Sequence, residues 1–163
     1  MSVSQLTDRP RGVVSAVAAL SLIAGLIHLW VTPEHFEEWW GYGAFFLVAA
    51  VAQVLYVPLV LRWPNRIVLL LGIVGNSAIV LLYLLTRVVG IPLLGPEAGE
   101  VEGVGIIDVC ATMAEVSIVV ALGALVLIDI ARERTILTGL ILSAMLLLGA
   151  HLPHLLLLLV ALL

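Results

Sequence analysis

The chain has 163 residues, of which 63% are hydrophobic and 11% are charged, and its mean hydropathy is +1.27. A soluble domain is about 45–50% apolar and about 25% charged, so this composition excludes an ordinary soluble protein and indicates an integral membrane protein. The formal net charge of −4 comes without any basic stripe, which excludes nucleic acid as a partner. The single cysteine, Cys110, excludes an internal disulfide.

Five apolar segments follow one another along the chain, and each is long enough to cross a hydrocarbon core of ~30 Å. Lipid offers no partners to backbone amides, and none of the segments alternates with period two, so each segment predicts a helix. The sequence therefore predicts an all-α integral membrane protein, a five-helix bundle that forms a single transmembrane domain over residues 1–163. The predicted spans are 13–31, 43–61, 67–85, 106–130 and 136–163.

The arginines predict the orientation of these spans. Six of the seven arginines precede the first span or lie in the second and fourth connections. Cytoplasmic connections carry the excess of basic residues, so the N-terminus is predicted in the cytoplasm and the C-terminus on the extracytoplasmic side. The two outer connections are longer and acidic. They are predicted to be a short amphipathic helix at 32–40 and a structured loop at 88–105.

Two carboxylates stand within the first ten residues of the fourth predicted span. Asp108, Thr112 and Glu115 are spaced i, i+4 and i+7, so they share one helical face, and Glu115 lies about 10 Å deeper than Asp108. A charge at the bilayer centre costs about 2.5–3.5 kcal/mol on insertion scales. Such a group is tolerated where it is protonated, paired or exposed to a wet cavity. Glu115 therefore predicts a polar site within the membrane.

Other polar side chains of the spans are predicted in the same outer half of the bilayer. His28 lies near the outer end of the first span, and His151 and His154 lie about 24 and 28 Å along a fifth helix that starts inside. Imidazole and carboxylate suit Zn, Cu, Fe or Mn, so these histidines and Glu115 are the candidate metal ligands. Arg87 is expected to form a structural ion pair with Asp108. The remaining residues expected to line the pocket are Glu34, His35, Glu38, Gln53, Asn76, Tyr83 and Thr112.

Several chemistries fit these residues. A transition metal ion is one candidate cofactor, although the chain contains no HExxH or CxxC motif. A haem held by His28 and by His151 or His154 is another. A proton carried by Glu115 and Asp108 is a third. Gln53 and Asn76 are alternatively hydrogen-bonding groups between helices.

A set of short motifs resembles a known group of proteins. These motifs are Glu34-His-Phe-Glu-Glu-Trp-Trp-Gly-Tyr-Gly43, Gly75-Asn76, Thr86-Arg87, Gly95-Pro-Glu-Ala-Gly-Glu100, and Asp108 with Glu115. Together they resemble small bacterial multi-pass membrane proteins that carry no assigned activity. The resemblance covers about Ala24 to Leu125 and omits the fifth predicted span. It implies a location in the bacterial plasma membrane and no particular reaction, so it transfers no catalytic residue.

Three functions remain open. The first is an outward-facing polar pocket that binds a cation, either a transition metal or a proton, in transport or redox chemistry. The second is a structural or accessory subunit, with a membrane-protein partner or a second copy of the chain beside it in the lipid bilayer. The third is a membrane enzyme that acts on a lipid or quinone.

Overall fold

A computed structural model of the chain describes residues 11–90, 95, 96 and 98–161, with side chains described as far as Leu146. Four helices account for most of these residues: α1 at Arg11–Glu38, α2 at Trp40–Arg62, α3 at Arg66–Val88 and α4 at Ile106–Ala161. No strand occurs in this part of the chain. All four helices are long and apolar enough to cross a membrane, which indicates a helical membrane protein.

Two tight turns connect the first three helices. Trp39 adopts an extended conformation with φ −166° and ψ 138°, and this single residue separates α1 from α2. Between α2 and α3, Asn65 caps the next helix, because its side-chain oxygen accepts a hydrogen bond from the Val68 amide at 3.0 Å. These short turns place the end of α1 beside the start of α2, and the end of α2 beside the start of α3.

The predicted amphipathic helix at 32–40 is not a separate element. α1 continues through Pro33 as far as Glu38. Proline removes one helical hydrogen bond, but side chains occupy two carbonyls around it. The Thr32 hydroxyl donates to the His28 carbonyl at 2.7 Å, and His35 Nδ1 donates to the Val31 carbonyl at 2.8 Å. The helix therefore passes the proline.

The predicted break between a fourth and a fifth helix is wrong. The segments at 106–130 and 136–163 fall largely in the one helix α4, whose 56 residues are more than twice the ~20 needed for one crossing. The intervening Ala131-Arg-Glu-Arg134 contains no proline or glycine, and its residues have high helix propensity. The chain nevertheless divides within α4 into two compact units, the first ending at Leu125 and the second beginning at Val126.

Polar side chains face the interior of the first unit, while large apolar side chains face outward. Buried polar residues occur on every helix, namely Ser21, His28, Thr32, Gln53, Asn76, Thr86 and Glu115. The outward-facing set includes Leu26, Val48, Leu71 and Val120, as expected of helices that lie in lipid. The interior of this unit is therefore the place where a polar site forms.

Close helix packing brings these polar groups within reach of one another. A Cβ atom at Gly25 on α1 would lie 3.1 Å from Val54 Cγ2 and 3.2 Å from the Ala50 carbonyl on α2, so the two backbones approach closely. The buried residues of α4 recur at helical spacing and form one face, comprising Ala111, Ala114, Glu115, Ile118, Leu122 and Leu125. That face directs Glu115 into the bundle.

Candidate functional site

Glu115 is the centre of a buried network that joins all four helices. Its side chain is 1% exposed. Oε1 lies 2.8 Å from Nε2 of His28 on α1 and 3.1 Å from Nε2 of Gln53 on α2, which donates to it. At 2.8 Å an imidazole N–H donates to a carboxylate, and a hydrogen bond to a charged acceptor is about twice as strong as a neutral one. Two donors on two helices thus hold one carboxylate oxygen.

The network continues from Glu115 into α3. Gln53 Nε2 also lies 3.3 Å from Oδ1 of Asn76, and Asn76 Nδ2 donates to the Gly72 carbonyl at 2.8 Å. The backbone carbonyl of Gln53 accepts a hydrogen bond from the Ser21 hydroxyl at 2.9 Å, which links Gln53 back to α1. Gln53 therefore links Glu115 to Asn76 on α3 and to Ser21 on α1.

His28 has one nitrogen bonded and one without a partner. Its side chain is 5% exposed, and within the described part of the chain its buried Nδ1 has no hydrogen-bond partner. When Nε2 carries the proton that is donated to Glu115, Nδ1 of the neutral ring is an acceptor with a lone pair. A buried polar atom without a partner is costly, so this lone pair is a candidate binding point for a proton or a metal ion.

Arg87 forms a second cluster nearer the end of the bundle. Its Nη2 donates to Asp108 Oδ2 at 2.8 Å, and Nη1 donates to Glu102 in the α3–α4 connection. The guanidinium also lies 4.7 Å from the centre of the Tyr83 ring. The loop is held at the same point, because the Glu102 amide donates to the Thr86 carbonyl at 3.1 Å. Arg87 thus ties the start of α4 and the loop to the end of α3.

A cavity of about 1000 Å³ lies between these two clusters. Its apolar and aromatic walls come from the end of α1, the start of α2, the end of α3 and the start of α4, and include Ile27, Phe45, Phe46, Ile79, Leu82 and Ile107. The Phe46 ring centre lies 5.6 Å from that of His28 and 3.9 Å from that of His35. The cavity is therefore apolar along its sides, with His28 and Glu115 among its polar lining residues.

The structure brings together most of the residues expected at the site. Those that line the cavity are His28, Glu34, His35, Glu38, Tyr83, Arg87, Asp108, Thr112 and Glu115. Gln53 and Asn76 were expected on the wall, but they are not among its lining residues; Gln53 instead donates to both Glu115 and Asn76. The side chains of His151 and His154 lie outside the described residues. Among the side chains that are described, no three His, Cys, Asp or Glu form a group that could hold a metal ion.

One contributor was not predicted from the sequence. Glu102 shares Arg87 with Asp108, yet it lies in a loop without periodicity, so no spacing relates it to α3. Phe46 packs against both histidines. It was one apolar residue among many, and only its helical spacing from Gln53 placed it on the same face.

No family model, curated protein or solved structure matches this chain. The resemblance to small bacterial membrane proteins therefore stays a prediction. The case for a function rests on the geometry of the chain's own residues.

Proposed function

We propose that this membrane protein binds a cation in its polar cavity, at Nδ1 of His28, with Glu115 as the counter-charge. The observation that carries the proposal is the buried imidazole with Nε2 bonded to a carboxylate and Nδ1 without a partner. The carboxylate fixes the tautomer, and the positive charge of a cation bound at Nδ1 would be balanced by a carboxylate oxygen 2.8 Å from Nε2.

The simplest cation is a proton. Its addition to Nδ1 converts the neutral ring to an imidazolium beside the Glu115 carboxylate, and no further ligand is needed. The described residues are sufficient for this chemistry. Proton exchange between His28 and the cavity would then be the elementary step of a proton-coupled transport or redox process.

A transition metal ion is the second form of the same proposal. A histidine that ligates a metal commonly donates its other N–H to a carboxylate, as His28 does toward Glu115. Glu115 would then orient the ligand and not itself coordinate the metal. The ion would still need more ligands, since no three His, Cys, Asp or Glu among the described side chains form a group that could hold one.

Nitrogen-15 NMR of histidine-labelled protein in lipid tests both forms, because the Nδ1 signal differs between an unprotonated, a protonated and a metal-bound ring. The chain has four histidines, so a His28→Gln variant assigns the signal. We expect the His28 Nδ1 signal to respond to acid or to added Zn²⁺, and Glu115→Gln to alter that response. Glu37→Gln is the matched control, since Glu37 is exposed and does not line the cavity.

The proposal would be overturned if the His28 Nδ1 signal changed with neither acid nor added Zn²⁺ while the protein remained folded. Metal analysis of the purified protein separates its two forms. Bound metal that is lost in the His28→Gln variant supports the metal form. Absence of bound metal together with a response to acid supports the proton.

The positions of the arginines support an orientation with the cavity facing outward, in the bacterial plasma membrane that the sequence resemblance predicts. Arg62 and Arg66 flank the α2–α3 turn, and Glu34, Glu37 and Glu38 lie at the opposite end of the bundle. In a Cys110→Ala background, cysteines placed at Glu37 and Asn65 should react from outside and from inside, respectively.

An accessory role in a larger membrane complex is the second candidate. Every described side chain from Ala131 to Leu146 is exposed. From Ile136 to Leu146 these exposed residues are mostly apolar, and such a helix lies against lipid or against another protein. A stable partner or second copy that remains bound in mild detergent, and is lost when residues 136–163 are removed, would favour this role.

A further inference from the structure

The cavity is far larger than a proton or a metal ion requires. Its volume is about 1000 Å³, whereas a water molecule occupies about 30 Å³. Pockets that hold drug-sized organic ligands measure about 300–1,000 Å³ and are mostly apolar with a few polar groups. The cavity lined by His28 and Glu115 therefore has the size and lining of an organic ligand site.

The charged groups around the cavity are mainly acidic. Five of its lining residues carry carboxylates, and one carries a guanidinium. That guanidinium, on Arg87, is already paired with Asp108 and Glu102. The other three carboxylates belong to Glu34, Glu38 and Glu115. An apolar cleft lined by one sign of charge attracts ligands of the opposite sign.

The walls suit a cation that carries an apolar body. Aromatic faces attract cations, and the wall contains Trp39, Tyr42, Phe46 and Tyr83. The Trp39 and Tyr42 rings pack edge to face, with centres 5.1 Å apart, near the start of α2. We propose that the cavity binds an amphiphilic organic cation, such as a quaternary ammonium or phosphonium with aromatic or aliphatic substituents, whose charge is balanced by Glu115.

This inference rests on the proposed function in one respect, because it uses the same counter-charge, Glu115. A neutral quinone or lipid would fill an equally apolar cavity, but it would gain nothing from the acidic lining. If binding affinity depends on the charge of the ligand, the ligand is an organic cation and not a neutral molecule. If affinity also depends on the volume of the cavity, the ligand is not a bare ion.

Binding of tetraphenylphosphonium and tetraphenylborate to the protein in nonionic detergent tests the inference, because these two ions share size and shape and differ in charge. Equilibrium dialysis should show stoichiometric binding of the phosphonium. We expect Glu115→Gln to weaken it at least about tenfold, the change that ~1.4 kcal/mol produces. Glu37→Gln, which removes a carboxylate outside the cavity, should leave it unchanged.

A steric variant tests the place of binding. Ile79 lines the cavity and is partly exposed, so Ile79→Trp reduces the volume without removing a charge. It should weaken phosphonium binding and leave the response of His28 Nδ1 to acid intact. If Ile79→Trp does not fold, the Glu115→Gln comparison still decides the outcome.

Binding of the borate as tight as that of the phosphonium, with the same dependence on Ile79, would show a cavity indifferent to charge and would overturn the inference. Phosphonium binding that is equal in wild type and Glu115→Gln would overturn it as well. If the phosphonium binds as expected but His28 Nδ1 responds to neither acid nor metal, the proposed function fails alone. If His28 responds and the phosphonium does not bind, this inference fails alone.

Discussion

Removal of the bond between His28 and Glu115 should reveal whether Glu115 is charged in the folded protein. The perturbation is a double-mutant cycle of His28→Leu, Glu115→Leu and the two together. Glu115→Leu removes the acceptor of two donors, but Gln53 Nε2 still has a second acceptor, Oδ1 of Asn76 at 3.3 Å. His28 alone loses its partner, and an unsatisfied buried donor costs about 1–3 kcal/mol. The double variant also removes the His28 ring, so no donor is left without an acceptor.

The size of the coupling energy depends on charge. Hydrogen bonds between membrane helices average about 0.6 kcal/mol, with a maximum near 1.7 kcal/mol. A hydrogen bond to a charged group contributes about 1.5–3 kcal/mol. Because both side chains are at least 95% buried, water screens the pair little. We expect a coupling energy of about 1.5–3 kcal/mol, with the double variant less destabilised than the sum of the single variants.

Reversible unfolding in mixed micelles, driven by SDS and followed by tryptophan fluorescence, measures these free energies. A second cycle between His28 and Glu37 is the control and should be additive, since Glu37 is exposed and makes no bond to His28. A His28–Glu115 coupling near 0.6 kcal/mol would mean a neutral hydrogen bond. That result would refute the view that Glu115 is a counter-charge.

Three further tests concern helix packing, the loop anchor at Arg87 and the cap of α3. Gly25→Leu should destabilise the protein by about 1–3 kcal/mol, because the leucine side chain would clash with Val54 and the Ala50 carbonyl. Gly75→Leu is the control, and it should cost little in the same SDS titration because no atom lies within 4 Å of a Cβ at Gly75. Arg87→Met should speed hydrogen exchange at the Glu102 amide, and an unchanged exchange rate would contradict the loop-anchoring role. The variant should lower the free energy of unfolding by only about 1 kcal/mol, since the Asp108 and Glu102 side chains are 31% and 39% exposed. Asn65→Ala should cost about 1 kcal/mol and increase exchange at Val68, while Asn65→Asp should preserve the cap.

The helices were predictable from the sequence where a local signal marks their ends. Arg62-Trp-Pro-Asn-Arg66 supplies a proline and an N-cap, and α2 ends and α3 begins there, as predicted. Pro33 gave a similar signal, but Thr32 and His35 satisfy nearby carbonyls, and α1 continues. Charge alone suggested the break at Ala131–Arg134. Charged residues of high helix propensity do not end a helix, so that prediction failed.

Parts of the site were predictable because polar residues in an apolar chain are rare. Glu115 and His28 stand out in the sequence, and the outer half of the bundle was the one region that both could share. Their direct bond was not predictable, because helix pairing has no local signal. Which histidine nitrogen stays without a partner, and that Glu102 shares Arg87 with Asp108, depend on side-chain geometry across elements far apart in sequence.

The same network that forms the site also specifies how α4 packs. Glu115 bears an insertion cost of about 2.5–3.5 kcal/mol if its charge faces lipid. His28 on α1 and Gln53 on α2 offset that cost with donors at 2.8 and 3.1 Å. A shift of α4 by one residue would rotate its contact face by about 100° and turn Glu115 away from both donors. Apolar surfaces in lipid discriminate poorly between helix registers, so the buried Glu115 carboxylate also selects the register in which the cavity exists.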